Sequence, residues 1–76
     1  MVESNYDYIK RNEECLLEAI KRGFIPYTIV NYKVYYERYL QELTITQDIT
    51  QSIFNTAEEY KVSTRTVNRA ISYMTD

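Results

Sequence analysis

The stretch AEEYKVSTRTVNRAI, residues 57–71, holds the signals that decide the fold. Its first residues favour a helix, and Lys61-Val62-Ser63 then interrupts that pattern. Ser63 is a suitable N-cap, because its side-chain oxygen can accept a hydrogen bond from the first free N–H groups of a following helix. Apolar residues then recur at spacings of three and four, at Val67, Ala70, Ile71 and Met74. The stretch predicts the end of one helix, a short turn and a second helix from about Thr64 to Met74.

The helix before this turn has a start signal of its own. Asp48 is followed three residues later by Gln51, which is similar to a capping box and predicts a helix from about Ile49 to Tyr60. Its inward face is predicted to carry Ile53, Phe54 and Ala57. The β-branched and polar stretch at residues 44–47 is predicted to be the break before it.

The N-terminal part predicts one helix over about residues 5–22. Its apolar residues lie at helical spacing, at Ile9, Leu16, Leu17 and Ile20. Gly23 ends it, since glycine is preferred in the left-handed position after a helix, and Lys21 and Arg22 suit the negative end of the helix dipole. Cys15 lies among apolar residues and is expected to pack as a small hydrophobic side chain.

The middle of the chain predicts a helix from about Tyr27 to Leu43, with Pro26 in its first turn. One face carries Ile29, Tyr32, Tyr36, Tyr39, Leu40 and Leu43, and the opposite face carries Tyr27, Val30 and Val34. The first face suits the core of the domain. The second meets either the first helix or a second copy of the chain, as a homodimer, and the sequence does not distinguish them.

These elements predict an all-α fold, a small bundle of about four helices in a single domain over residues 1–76. The domain divides into an N-terminal helical pair at 5–43, where a homodimer would form, and a C-terminal pair at 48–74. The composition agrees, since 45% of the 76 residues are hydrophobic and 26% charged. One Gly and one Pro are too few for the frequent turns of a β-sandwich or barrel.

Several function classes fit the composition poorly. The chain has no His, one Cys in an apolar stretch, no Gly-rich phosphate loop and no zinc-ligand pattern. We therefore expect no enzyme activity, no catalytic residue, no metal and no cofactor. No apolar run approaches the ~18 residues of a membrane span, and the start MVESNYDYIK lacks the order of a secretory signal, so we expect a cytoplasmic protein without membrane contact.

Residues 56–71 resemble the helix-turn-helix of bacterial and phage transcription regulators, notably the lactose-repressor type, whose pattern is A-x-x-(apolar)-G-V-S-x-x-T-V-x-R. The residues in register are Ala57, Tyr60, Val62, Ser63, Thr66, Val67 and Arg69. The resemblance covers about residues 48–74, and small phage or mobile-element regulators are the closer comparison in size, with the Mor activators a loose parallel in layout. The family prefers Gly where this chain has Lys61, and a left-handed Lys costs about 1 kcal/mol.

This resemblance implies binding to double-stranded DNA with the helix at 64–74 in the major groove. The outward-facing residues are then Thr64, Arg65, Asn68 and Arg69. Arg pairs bidentately with guanine and Asn with adenine, and in the family the positions of Thr64, Arg65 and Arg69 read bases or adjoining phosphates. Lys61, Ser63 and Thr66 suit contacts to phosphate.

The charges divide along the chain in the same way. Residues 61–76 carry three positive and one negative charge, net +2, whereas residues 1–60 carry six positive and ten negative, net −4. An acidic body repels DNA, and a monomer with three or four cations would bind weakly. A dimer that reads two half-sites about one helical turn apart is therefore expected.

Two other interpretations remain open at this stage. Arg65 and Arg69 would also suit a solvated helix face or salt bridges to Glu58 and Glu59. The whole chain would also suit a non-catalytic protein-interaction module, such as a phage adaptor or inhibitor that uses the same fold without DNA. Its binding residues would be Glu13, Glu14, Glu18 and the tyrosine-rich surface, and Arg65→Ala would then have no effect.

Overall fold

The computed structural model describes residues 3–76, and the regular structure within that range is entirely helical. The five helices are α1 (Asn5–Arg11), α2 (Glu13–Lys21), α3 (Thr28–Thr46), α4 (Ile49–Tyr60) and α5 (Thr64–Thr75). The all-α class is confirmed, with five helices instead of about four. The predicted domain starts at residue 1, so its first two residues lie outside the described range. Within that range each helix is too short or too polar to cross a membrane.

The additional helix arises because Asn12 divides the first predicted helix into α1 and α2. Its backbone, at φ −117° and ψ 26°, is not helical. Its backbone N–H and side-chain amide both donate to the carbonyl oxygen of Tyr8, at 3.1 and 2.8 Å. Asn side chains compete for backbone hydrogen bonds in this way. The end of α2 is as predicted, since Gly23 has a left-handed φ of 81°.

Helix α3 starts and ends later than predicted. Pro26 precedes its N-cap, Tyr27, and therefore lies outside the helix. The predicted break at residues 44–47 is wrong, because the helix continues to Thr46. The hydroxyl of Thr44 donates to the Leu40 carbonyl within the helix, and Gln47, at φ 55°, then ends it in a left-handed conformation.

Helix α3 contacts each of the other helices along its length. The contacts include three ring pairs, with centroid distances of 4.9 Å for Tyr6–Tyr36, 5.8 Å for Tyr32–Tyr73 and 5.3 Å for Tyr35–Tyr60, and the ion pair of Lys33 with Glu13 at 2.9 Å. Helix α4 is antiparallel to α3, because the end of α4 contacts α3 at the Tyr35–Tyr60 pair and its start contacts the end of α3. There the hydroxyl oxygens of Ser52 and Thr46 are 2.7 Å apart. Helix α3 is thus the central element, and α4 and α5 pack on it together.

The best-buried side chains belong to α4 and α5. Val67, Ala70 and Met74 are fully buried, as predicted for the inward face of α5. Helix α4 buries Ala57 as predicted, but beside it lie Ser52 and Thr56, whose hydroxyls donate to the carbonyl oxygens of Asp48 and Ser52 at 2.7 and 2.8 Å.

Two predicted core residues, Phe54 and Leu40, are exposed. Phe54 is 49% exposed, since it lies about 160° around α4 from Thr56. Leu40 is 37% exposed, since it lies about 100° around α3 from the buried Tyr39. Tyr36 and Ile53 are half-buried.

Helix α2 packs less tightly than the others. Leu16 and Ile20 are half-buried and Leu17 is 45% exposed. Cys15 is exposed, so its predicted packing is wrong. The reason is geometric, because α2 rests on its neighbours along one stripe, and Cys15 lies about 100° away from Leu16.

Candidate nucleic-acid interface

The turn between α4 and α5 has a defined backbone geometry. Lys61 adopts the left-handed conformation, at φ 55° and ψ 44°. The N–H of Lys61 donates to the Glu58 carbonyl at 3.3 Å and that of Val62 to the Ala57 carbonyl at 3.0 Å. These two bonds form a Schellman motif. Lys61 thus occupies the left-handed position in which glycine avoids a strain of about 1 kcal/mol.

The start of α5 is fixed by two hydroxyl groups. The Ser63 side chain accepts a hydrogen bond from the Thr66 N–H at 3.1 Å, which confirms the predicted N-cap. The hydroxyl oxygens of Ser63 and Thr66 are also 3.0 Å apart. A cap of this kind is typically worth about 1 kcal/mol. The two hydroxyls therefore hold the helix end in place, and their predicted contact to phosphate stays a prediction.

The outward face of α5 carries the two arginines. Arg65 and Arg69 lie roughly opposite the buried Val67 on the helix, and both are exposed. In the part of the chain that the structure describes, neither guanidinium lies within 4.0 Å of a carboxylate, so the salt bridges to Glu58 and Glu59 are not formed. Glu59 instead pairs with Arg38 at 3.6 Å.

The basic side chains of the N-terminal helices are mostly neutralised. Their ion pairs are Lys10–Glu37, Arg11–Glu3, Arg22–Glu18, Lys33–Glu13 and Arg38–Glu42, at N···O distances of 2.8 to 3.9 Å. Across residues 3–76, the cations outside such pairs are Lys21, Lys61, Arg65 and Arg69. Three of these four lie on the turn and on α5, so the local positive charge is free to meet an anion.

An open depression of about 540 Å³ lies between α4 and the start of α5. Its lining comprises Phe54, Ala57, Glu58, Lys61, Val62 and Thr64. A second depression beside it is lined by Thr50, Ile53, Phe54, Thr64 and Asn68. Thr64 and Asn68 thus face the angle between the two helices, whereas Arg65 and Arg69 point outward. The predicted residues therefore form two adjoining parts of one surface.

The sequence interpretation missed Phe54, Thr50 and Glu58 as residues of this surface. It placed Phe54 in the core because it centred the helix face on apolar residues, whereas the buried face of α4 includes Ser52 and Thr56. A helical wheel centred on those two hydroxyl residues would have put Phe54 outside. Glu58 lies in the same depression as Lys61 and adds a negative charge there.

The surface suits an extended anion better than a small ligand. Both depressions are open and shallow, and their polar groups are hydroxyls, one amide, one carboxylate and the ammonium group of Lys61. Among residues 3–76, no three Asp, Glu or Cys side chains come together as metal ligands. Arg guanidinium groups with free donors bind phosphate or guanine through two parallel hydrogen bonds.

Comparison with known proteins neither supports nor contradicts the resemblance of residues 56–71. The chain matches no family model, no curated protein and no solved structure. The helix-turn-helix therefore remains a hypothesis, based on the residues in register and on the local geometry of α4, the turn and α5.

Proposed function

We propose that this protein binds double-stranded DNA with sequence specificity, as a small bacterial or phage transcriptional regulator that places α5 in the major groove. The main support is the position of Arg65 and Arg69. Both are exposed, outside any ion pair among residues 3–76, and opposite a buried face that fixes their helix. A helix positioned in this way presents its arginines to base edges.

The surface residues divide into two roles in this proposal. Arg65 and Arg69 pair with guanine, and Asn68 and Thr64, beside α4, contact neighbouring bases. Contacts to phosphate come from Lys61, Ser63 and Thr66 and position the protein without reading sequence. The exposed Phe54 ring adds an apolar contact, of the kind that thymine methyl groups receive.

Two copies of the chain are needed for tight binding. Each neutralised phosphate makes the plot of the logarithm of the binding constant against the logarithm of salt concentration steeper by about 0.9. One copy offers three free cations at this surface. We propose a homodimer through the second apolar stripe of α3, which carries Tyr27, Val30 and Val34. Its two α5 helices would read half-sites about one helical turn apart.

The first test is fluorescence anisotropy of a labelled random-sequence duplex at low and moderate salt. Wild type is compared with Arg65→Ala/Arg69→Ala and with a charge-matched control, Arg11→Ala/Arg22→Ala. The control arginines are exposed and paired with Glu3 and Glu18. Each of Arg65 and Arg69 is expected to contribute roughly 1–3 kcal/mol, so the first pair weakens binding strongly and the control changes it little.

Two results would contradict the proposal. An equal loss in both double variants would mean that only net charge matters. Absence of binding at low salt would favour the protein-interaction module instead. Sequence specificity is tested separately by selection from a randomised duplex library, in which wild type should enrich one motif and Arg69→Ala should lose the preference at one base position.

A further inference from the structure

An apolar groove lies between α2 and the N-terminal half of α3, away from the residues proposed to contact DNA. Half-buried side chains form its floor, and the exposed Leu17 and Val34 form part of its edge. The floor residues are Leu16, Ile20, Ile29 and Val30. The loop that joins the two helices adds Phe24, which is 78% exposed. Nothing in residues 3–76 covers this surface.

The volume of the groove limits what can fill it. It measures about 120 Å³, well below the roughly 300–1,000 Å³ of small-molecule sites. Its lining is apolar apart from Glu13 and Lys33, and those two form an ion pair with each other. The groove therefore suits an aliphatic side chain from another polypeptide.

The charges on α2 indicate which polypeptide this is. Glu14, Leu17 and Lys21 follow one another at spacings of three and four, so they lie on one strip of α2. Glu14 and Lys21 are both exposed, and neither has an ion-pair partner among the described residues. The strip is acidic before Leu17 and basic after it.

Such a strip is complementary to itself in the antiparallel direction. In a two-fold pair of α2 helices centred near Leu17, Glu14 of each copy lies opposite Lys21 of the other, since both are about equally far from the centre. A parallel pair would instead place equal charges together. Complementary charges at the edge of an apolar contact set its register and exclude wrong orientations.

We infer that a second copy of this chain covers the groove, with the two α2 helices antiparallel and Leu17 of each copy packed against the groove of the other. Val30 and Val34 of α3 then become part of the same interface, which extends the α3 stripe onto α2. The role of this dimer rests on the proposed DNA binding, because two copies carry twice the three free cations that one copy has on the turn and α5. The association itself requires no DNA.

The test is sedimentation equilibrium of the DNA-free protein over a range of concentrations. Wild type should dimerise and Leu17→Glu should be monomeric, whereas Ile45→Glu, a matched change at a 76% exposed position near the end of α3, should leave the dimer intact. Glu14→Lys and Lys21→Glu should each weaken association about tenfold or more, because like charges then meet. The double variant Glu14→Lys/Lys21→Glu should restore it to within about threefold of wild type, because the opposite charges have only exchanged places.

The double variant separates the interface from the stability of α2 itself. Each single change opposes the helix dipole, and the double change opposes it at both ends, so recovery can come only from pairing between copies. A wild-type protein that stays monomeric would overturn the inference, as would equal effects of Leu17→Glu and Ile45→Glu. The DNA proposal fails separately, since Arg65→Ala/Arg69→Ala should lose DNA and still dimerise.

Discussion

Helix α5 has three fully buried side chains, Val67, Ala70 and Met74. Helix α2 has none among the residues that the structure describes, and nearly half of Leu17 is exposed to water. The two helices are similar in length, so the difference lies in their surroundings. Helix α5 packs against both α3 and α4, whereas α2 rests on α1 and borders an open groove with α3. The C-terminal part is thus complete within one copy, and the N-terminal part leaves apolar surface for a partner.

The same two regions also use their charges differently. Most cations of the N-terminal helices form ion pairs with nearby carboxylates. Lys33 of α3, for example, pairs with Glu13 of α2 across the groove. The cations of the turn and α5 form no ion pair in the described part of the chain. The start of α5 is fixed instead by the hydroxyl cap of Ser63. Charge thus serves structure in the N-terminal half and remains free for an anionic partner in the C-terminal half.

The largest effect is expected from Val67→Asp. The change buries an unpaired carboxylate beneath α5, at a cost of roughly 3–5 kcal/mol, a large part of the stability of a small domain. Urea unfolding followed by circular dichroism should show loss of the cooperative transition. Leu16→Asp in α2 should cost much less, because that side chain already contacts water.

The control for this comparison is Asn68→Asp, which adds the same charge at the exposed neighbouring position. It should leave the unfolding transition almost unchanged. If Leu16→Asp destabilised the fold as much as Val67→Asp, the contrast between a complete C-terminal part and an open N-terminal part would be wrong.

An intermediate effect is expected at Lys61, where stability and DNA binding should change in opposite directions. Lys61→Gly relieves the left-handed conformation and should raise the free energy of unfolding by about 1 kcal/mol. It should also weaken DNA binding and lower the salt slope by about 1, because a phosphate contact is lost. Lys61→Ala is the matched control, since it removes the charge but keeps the strain. Equal stability of the two variants would contradict the role of backbone strain.

The smallest effect is expected from the ion pair of Glu13 with Lys33. The hydrogen bond from Lys33 lowers the pKa of Glu13 below its usual 4.5, and the same bond raises the pKa of Lys33 above its usual 10.5. The pair therefore stabilises the fold at neutral pH, and its contribution falls as pH drops through the lowered pKa of Glu13 or rises through the raised pKa of Lys33. Glu13 is exposed, so the effect should be small.

Glu13→Gln tests this pH dependence. The difference in free energy of unfolding between wild type and the variant should be present from about pH 5 to 9 and vanish in acid, where Glu13 is protonated in both states. A difference that stayed constant down to pH 2 would show that packing, and not charge, connects α2 to α3 at this point.

Much of the C-terminal part could be predicted from the sequence because its signals are local. The bounds of α4 are as predicted, and Asp48 and Ser63 are the N-caps of α4 and α5. Each cap requires only a short polar side chain and an N–H three residues later. The inward face of α5 was also clear, since its apolar residues share one stripe.

The remaining features depend on contacts that the sequence pattern does not contain. Thr44, Ile45 and Thr46 suit a break by propensity, yet α3 continues through them because its C-terminal half packs along α4. Asn12 interrupts a pattern whose apolar spacing looks continuous. The pattern predicts Phe54 inside because hydrophobicity alone does not show that Ser52 and Thr56 are the buried side chains of α4.

The tyrosine pairs along α3 give the protein its own optical reporters. With nine Tyr and no Trp, its near-ultraviolet fluorescence comes from phenol rings, and the three pairs link α3 to α1, α4 and α5. Burial and the hydrogen bond that Tyr6 donates to Glu37 raise the pKa of Tyr6 to about 12. In an alkaline absorbance titration, Tyr6 should therefore ionise late, and its step should move to lower pH once α1 leaves α3.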